Sequence, residues 1–155
     1  MSTFVVEEAL EHDHRDIDDG FARFRRGLDQ SQWLREPFER AAEGLRHHIY
    51  VEEEVLFPFL RVGGLVAPVF VMIREHAAIW QALQSVEAAI AATDRDAAAG
   101  AMASLASILD THNSKEEQIL YPASGQVLAT DATEAVRKAF EEGTRPDGWL
   151  PGGLR

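Results

Sequence analysis

Apolar residues recur at spacings of three and four along most of the chain, and polar breaks cut that pattern into four long segments. The first runs over residues 4–29, where Leu10, His14, Ile17, Phe21, Phe24 and Leu28 make one stripe interrupted by a histidine. Asp29-Gln30-Ser31-Gln32 breaks it, and an irregular lead-in at Trp33 and Leu34 precedes the second segment. Pro37 fits a first helical turn, where its missing N–H costs nothing. The stripe Ala41, Leu45, His48, Glu52, Val55 and Leu56 then carries the helix to about Pro58, and Gly63-Gly64 ends the segment. A third helix is expected from about Pro68 to about Ala92 on Val69, Ile73, His76, Trp80, Leu83, Val86 and Ile90. Asp94 suits the N-cap of a fourth, carrying Leu105, Ile108, Leu109, His112, Glu116, Ile119 and Leu120. Thr130 to Glu142 reads as a shorter fifth helix, with Asp131 and Glu134 at capping-box spacing. No stretch alternates at period two. The economical fold is all-α: an up-down-up-down four-helix bundle over residues 1–143, including the short fifth helix. An irregular Pro- and Gly-rich tail, 144–155, follows; it either docks as a strap or stays loose.

One stretch occurs twice. His48-Ile-Tyr-Val-Glu52-Glu53-Glu54-Val55-Leu56-Phe57-Pro58 is echoed by His112-Asn-Ser-Lys-Glu116-Glu117-Gln118-Ile119-Leu120-Tyr121-Pro122. On a helix, positions i and i+4 share a face, so each His and its Glu point the same way. The aliphatic residues one turn on (Val55, Leu56; Ile119, Leu120) place that face at least partly inside. Burying such a pair needs compensation, and imidazole with carboxylate suits a first-row transition metal. A single His-x-x-x-Glu is usually a solvent-facing pair; two in matched context, with further histidines at the same level, are not.

The level follows from the rise per residue. Counting from the turn between the first and second helices, His14 lies about 21 Å back, with His48 and Glu52 about 16 and 22 Å forward of Pro37. From the next turn but one, His76 lies about 25 Å back, with His112 and Glu116 about 27 and 33 Å forward. His14, His48, Glu52, His76, His112 and Glu116 therefore fit one layer of the bundle, and two carboxylates in that layer can bridge a pair of ions. His14-x-x-Ile17 and His76-x-x-Ile79 add a weak echo of their own, so the chain reads as two copies of a helix pair.

Composition narrows the class. The chain has 155 residues, 46% of them hydrophobic, which suits one domain with a sizeable core. A net charge of -11 argues against nucleic acid as a partner. No apolar run is long enough for a membrane span, and the first residues lack the basic region of a signal peptide. With no Cys there are no disulfides or thiolate ligands, which fits a cytoplasmic protein.

The Glu-Glu-x-(Val/Ile)-Leu-(Phe/Tyr)-Pro context after each histidine resembles the hemerythrin-like (HHE cation-binding) family, over about residues 8–122. The resemblance implies a non-haem di-iron centre with His14, His48, Glu52, His76, His112 and Glu116 as ligands and the two glutamates as bridges. The two iron ions would share an oxo or hydroxo bridge and keep open positions. Oxygen-carrying members use a fifth His where this chain has Met72, and an Asp five residues after its His where this chain has Glu116. The ligand set is similar to that of the bacterial branch that includes iron–sulfur repair proteins, which carry an N-terminal Cys-containing segment absent here.

The leading expectation is a di-iron protein that binds or reacts with oxygen, nitric oxide or peroxide under oxidative or nitrosative stress, with an unidentified reductase as a further partner. Oxygen storage or sensing without turnover, and iron buffering, are the alternatives; no catalytic side chain is assigned. Tyr50 and Glu75 are the candidates for an additional donor. His12 and His47 are expected to face away. Glu53, Glu54 and Glu117 are expected to form a solvated acidic face, with a supporting role for one of them at a ligand imidazole as the alternative. Phe21, Phe24, Phe57, Trp80 and Tyr121 are expected in the core.

Overall fold

The computed structural model describes residues 4–155. It is all-α, with helices α1 (Val6–Asp29), α2 (Arg35–Val51), α3 (Phe57–Val62), α4 (Val66–Ala91), α5 (Arg95–Lys115), α6 (Tyr121–Val127) and α7 (Thr130–Glu142). A π-helical turn, Glu52–Leu56, joins α2 to α3, and another, Glu116–Leu120, joins α5 to α6. The bundle thus has four rods: α1, α2 through α3, α4, and α5 through α6. The tail closes on a 3-10 turn, Gly152–Leu154.

Three rods end in the same device. At the end of α3 the Leu65 N–H bonds to the Leu60 carbonyl and the Gly64 N–H to that of Arg61, with Gly64 at φ +97°. The ends of α1 and α4 repeat this pattern, but the left-handed positions there are held by Ser31 (φ 59°) and Thr93 (φ 52°). Asp94 caps α5 as expected, its Oδ1 accepting from the Ala97 N–H at 3.1 Å. The capping box expected at α7 does not form. Asp131 already lies inside that helix, whose N-cap is Ala129, and Glu134 pairs with Arg137 instead.

The core is split in two. One cluster, with Ile17, Phe21, Phe24, Leu28, Leu45, Ile79, Leu83, Leu105 and Leu109, fills the end near the α1–α2 and α4–α5 turns. The other, with Leu10, Val51, Leu56, Phe57, Leu60, Met72, Leu120, Tyr121 and Val136, fills the opposite end. On every rod a histidine stands at the boundary: His14 between Leu10 and Ile17, His48 between Leu45 and Val51, His76 between Met72 and Ile79, His112 between Leu109 and Leu120. Burial of the large apolar side chains, about 1.5–3 kcal/mol each, therefore clamps a polar layer from both sides.

The π turns correct the register of the expected stripes. Each turn of a π-helix holds more residues than an α turn, so successive side chains rotate less about the axis. Downstream of Glu116 the inward positions become Leu120 and Tyr121, both buried, while Ile119 is 61% exposed. In the other copy Leu56 and Phe57 are buried and Val55 only partly so. For the same reason Glu53 is buried beside Glu52, two consecutive side chains facing inward.

Candidate metal centre

All six residues predicted from the spacing converge in the polar layer. His14, His48, Glu52, His76, His112 and Glu116 are each no more than 4% exposed. Glu52 Oε1 lies 3.5 Å from His48 Nε2 and 3.2 Å from His76 Nε2. Glu116 Oε1 lies 3.2 Å from both His112 Nε2 and His14 Nε2. Each carboxylate thus stands between an imidazole of its own rod and one from the other half of the chain, as an approximate two-fold requires. The ring pairs obey the same symmetry, His14–His48 at 4.6 Å and His76–His112 at 5.0 Å between centroids.

Four outer carboxylates complete the arrangement. Nδ1 of His14 meets Glu117 at 2.8 Å, of His48 Asp13 at 2.8 Å, of His76 Glu53 at 2.7 Å, and of His112 Glu75 at 2.8 Å. A carboxylate at Nδ1 assigns the proton of a neutral ring to that nitrogen and turns the Nε2 lone pair inward. Glu53 and Glu117 directly follow the two central glutamates, and Asp13 and Glu75 directly precede His14 and His76. Of the expected solvated acidic face, Glu53 is buried and supports an imidazole, Glu117 supports one while staying partly exposed, and Glu54 lies outside, bonded to Trp149. Glu75 serves His112 and Lys115. Tyr50 packs edge-on against Trp149 at 5.2 Å, beside the tail. His12 pairs with Asp16 on the surface, and His47 bonds to the Phe140 carbonyl of α7.

Tyr121 is the residue that sequence reasoning placed in the core without a polar role. Its ring stacks on His14 as Phe57 stacks on His76, with centroids at 5.7 and 5.6 Å. The hydroxyl, which Phe57 lacks, donates to Glu52 Oε2 at 2.7 Å and lies 3.1 Å from Glu116 Oε1. His14 Nε2 and His48 Nε2 are each 3.2 Å from it. One phenolic proton faces four groups able to accept it. The substitution of Tyr for Phe in the second copy of the repeat was the available signal.

The electrostatics call for a cation. Glu52 Oε1, His76 Nε2 and Glu116 Oε2 are buried without a hydrogen-bond partner among the described residues, each an uncompensated cost. The 3.2 Å between Glu52 Oε1 and His76 Nε2 is proximity of charge without the alignment of a hydrogen bond. Burial pushes the His76 imidazole down, but Glu52 and Glu53 outweigh it and raise its pKa to about 9. His48 is likewise held well above the usual range, with Glu52 and Asp13 outweighing its burial. Glu116 is held well below its usual range despite burial, chiefly by His112. Burial, with Glu116 and Glu52 nearby, drives the Tyr121 phenol well above its ordinary value. The buried carboxylates favour positive charge on His48, His76 and His112, and a metal cation meets the same need with stronger bonds.

Two donor groups suit such ions. Glu52, His76, His112 and Glu116 offer atoms within 4.8 Å of one another, as do His14, His48 and Glu116. Glu116 belongs to both groups, so the buried cluster has the geometry of a site for two metals. Among the described residues no helix is long and apolar enough to cross a membrane. No curated protein and no solved structure matches the chain. The profile of the Hemerythrin HHE cation binding domain matches residues 5–124, which span α1 to α6 and contain all six central residues. The chain belongs to the hemerythrin HHE cation-binding domain family.

Proposed function

We propose that this protein holds two iron ions joined by an oxo or hydroxo bridge and that it binds or reacts with oxygen, nitric oxide or peroxide, in defence against oxidative or nitrosative stress. His76 and His112 would hold one ion, His14 and His48 the other, and Glu52 and Glu116 would bridge them. The observation that carries the reading is the buried cluster of four imidazoles and two carboxylates with three unpartnered polar atoms. That donor set suits iron among the first-row metals. When bound, an iron pair supplies electrons and open coordination positions for a small ligand.

The chain's own residues do the rest. The Nδ1 carboxylates fix each imidazole in one orientation and make Nε2 a stronger donor. Tyr121 keeps a proton at its hydroxyl, 2.7 Å from Glu52, which places a hydrogen-bond donor inside the layer. The two apolar clusters shield the layer from water at both ends. Met72, buried one turn before His76, adds no nitrogen donor where oxygen carriers have one, which favours a more open centre over reversible carriage.

Metal analysis of the purified chain, followed by stopped-flow spectra of the reduced protein, tests this. About two irons per chain, and a spectral change on mixing with at least one of oxygen, nitric oxide and peroxide, are expected. Absence of iron binding, or spectra inert to all three ligands, overturns the proposal. A long-lived ligand spectrum without product places the protein in storage or sensing.

A further inference from the structure

The two-fold relation of the outer carboxylates is broken at one point. Glu53 and Glu117 are symmetry mates, each bonded to Nδ1 of the histidine on the first rod of a pair. The Glu117 side chain is 35% exposed and that of Glu53 only 4%. The difference comes from residues 144–155, beyond the matched domain. Arg145 pairs with Glu43 at 2.9 Å, and the Trp149 ring packs against Trp80 and Tyr50. Trp149 Nε1–H donates to Glu54 at 2.8 Å. From this anchor the strap crosses α4 beside His76. A Cβ on Gly153 would stand 2.8 Å from that of Ala77, so only a bare backbone passes so close. There the Gly152 N–H donates to Glu53 Oε1 at 2.7 Å, while Glu53 Oε2 accepts from His76 Nδ1 at 2.7 Å.

We infer that the C-terminal strap is a positioning element of the metal centre. A relay from the Gly152 N–H through Glu53 to His76 Nδ1 fixes the imidazole that is to hold one ion. The strap also covers Glu53, whose side chain is 4% exposed, leaving Glu117, at 35%, as the open member of the pair. A carboxylate held at both oxygens cannot swing away from its imidazole; among the described residues Glu117 has no such second tie to the backbone. The inference rests on the metal-binding reading for its loaded-state consequences, and on hydrogen bonding alone in the metal-free chain.

The test uses the iron-loaded full chain, a ferrous chelator and four changes. Gly152→Pro removes the donor at a position where a 3-10 φ suits proline, and Gly152→Ala retains it. A chain ending at Pro146 removes the strap, and Glu53→Gln breaks the relay. Gly152→Pro, the truncation and Glu53→Gln are each expected to speed release of one iron about 10–100-fold, the range for loss of a ligand's hydrogen-bond partner. Gly152→Ala should release iron at nearly the parent rate. Truncation combined with Glu53→Gln should be no worse than either alone, whereas truncation combined with Glu117→Gln should be additive. In the metal-free full chain, the His76 Nδ1–H should exchange slowly by nitrogen-edited NMR, and rapidly once the strap is removed. A lowered melting temperature with unchanged iron release, or additivity of truncation with Glu53→Gln, overturns the inference. If the chain binds no iron, the proposed function fails, and a His76 proton that stays protected without the strap then overturns the relay separately.

Discussion

Tyr121→Phe separates what the phenol does in the empty layer from what it does around a cation. The ring itself is not at issue, because Phe57 fills the two-fold-related slot, fully buried and stacked on His76. Only the hydroxyl is lost, and with it the 2.7 Å bond to Glu52 and the 3.1 Å contact to Glu116. A buried hydrogen bond to a charged acceptor is worth about 1.5–3 kcal/mol. At about 2–4 °C per kcal/mol for a chain of this size, the metal-free variant should melt about 7 °C below the parent. In the loaded protein the same carboxylate oxygens face a cation, and the loss should fall below about 1 kcal/mol. By the thermodynamic cycle, the variant then binds metal more tightly by the difference. Thermal unfolding followed by circular dichroism, with and without metal at one fixed concentration, measures both. Equal melting of variant and parent without metal refutes the reasoning, as does an equal drop in both states.

Three further outcomes follow from the geometry. The metal-free protein should lose stability as pH rises from about 6.5 to 9, because His76 has a folded pKa of about 9, above its ordinary 6.5. Its contribution is complete below the lower value and gone above the higher, on the order of 3 kcal/mol. Urea denaturation across that range should show the fall, while metal affinity should rise over the same range as protons leave the nitrogens; a flat urea profile would contradict the assignment. Glu116→Ala, which removes an atom common to both donor groups, should lower metal content at both positions, whereas His14→Ala should spare the His76–His112 position. Thr93→Gly should raise the melting temperature by about 3 °C, since a β-branched residue at positive φ costs about 1 kcal/mol; no gain would argue against strain at that turn.

The six central residues were legible because a regular helix carries i and i+4 on one face and the motif recurs in a matched setting. Rise per residue sufficed to bring them to one height, since that height depends on helix length and not on side-chain detail. The outer carboxylates were harder to read. Asp13 bonds to a histidine on another rod, as do Glu53, Glu75 and Glu117, and no local spacing encodes that pairing. Their position beside the central residues, in both copies, was the only trace. The π turns leave no propensity signal, so the regular stripe places Ile119 inside and Glu53 on the surface, each about one position from where the structure has it. The docking of the tail depends on Trp149, Gly152 and Gly153 meeting α4 and Glu54, contacts that composition does not foretell.

Each wide turn is followed by a proline, Pro58 and Pro122, two residues beyond its end. Proline has no N–H to give to the carbonyl four residues back, and its ring would collide with that group in a tighter spiral. A slip by one residue into an ordinary register, which would swing the second glutamate of each pair out of the bundle, therefore carries the cost of a proline inside a helix. Rigid scaffolding results: four rods deliver both a set of inward nitrogens and the braces behind them.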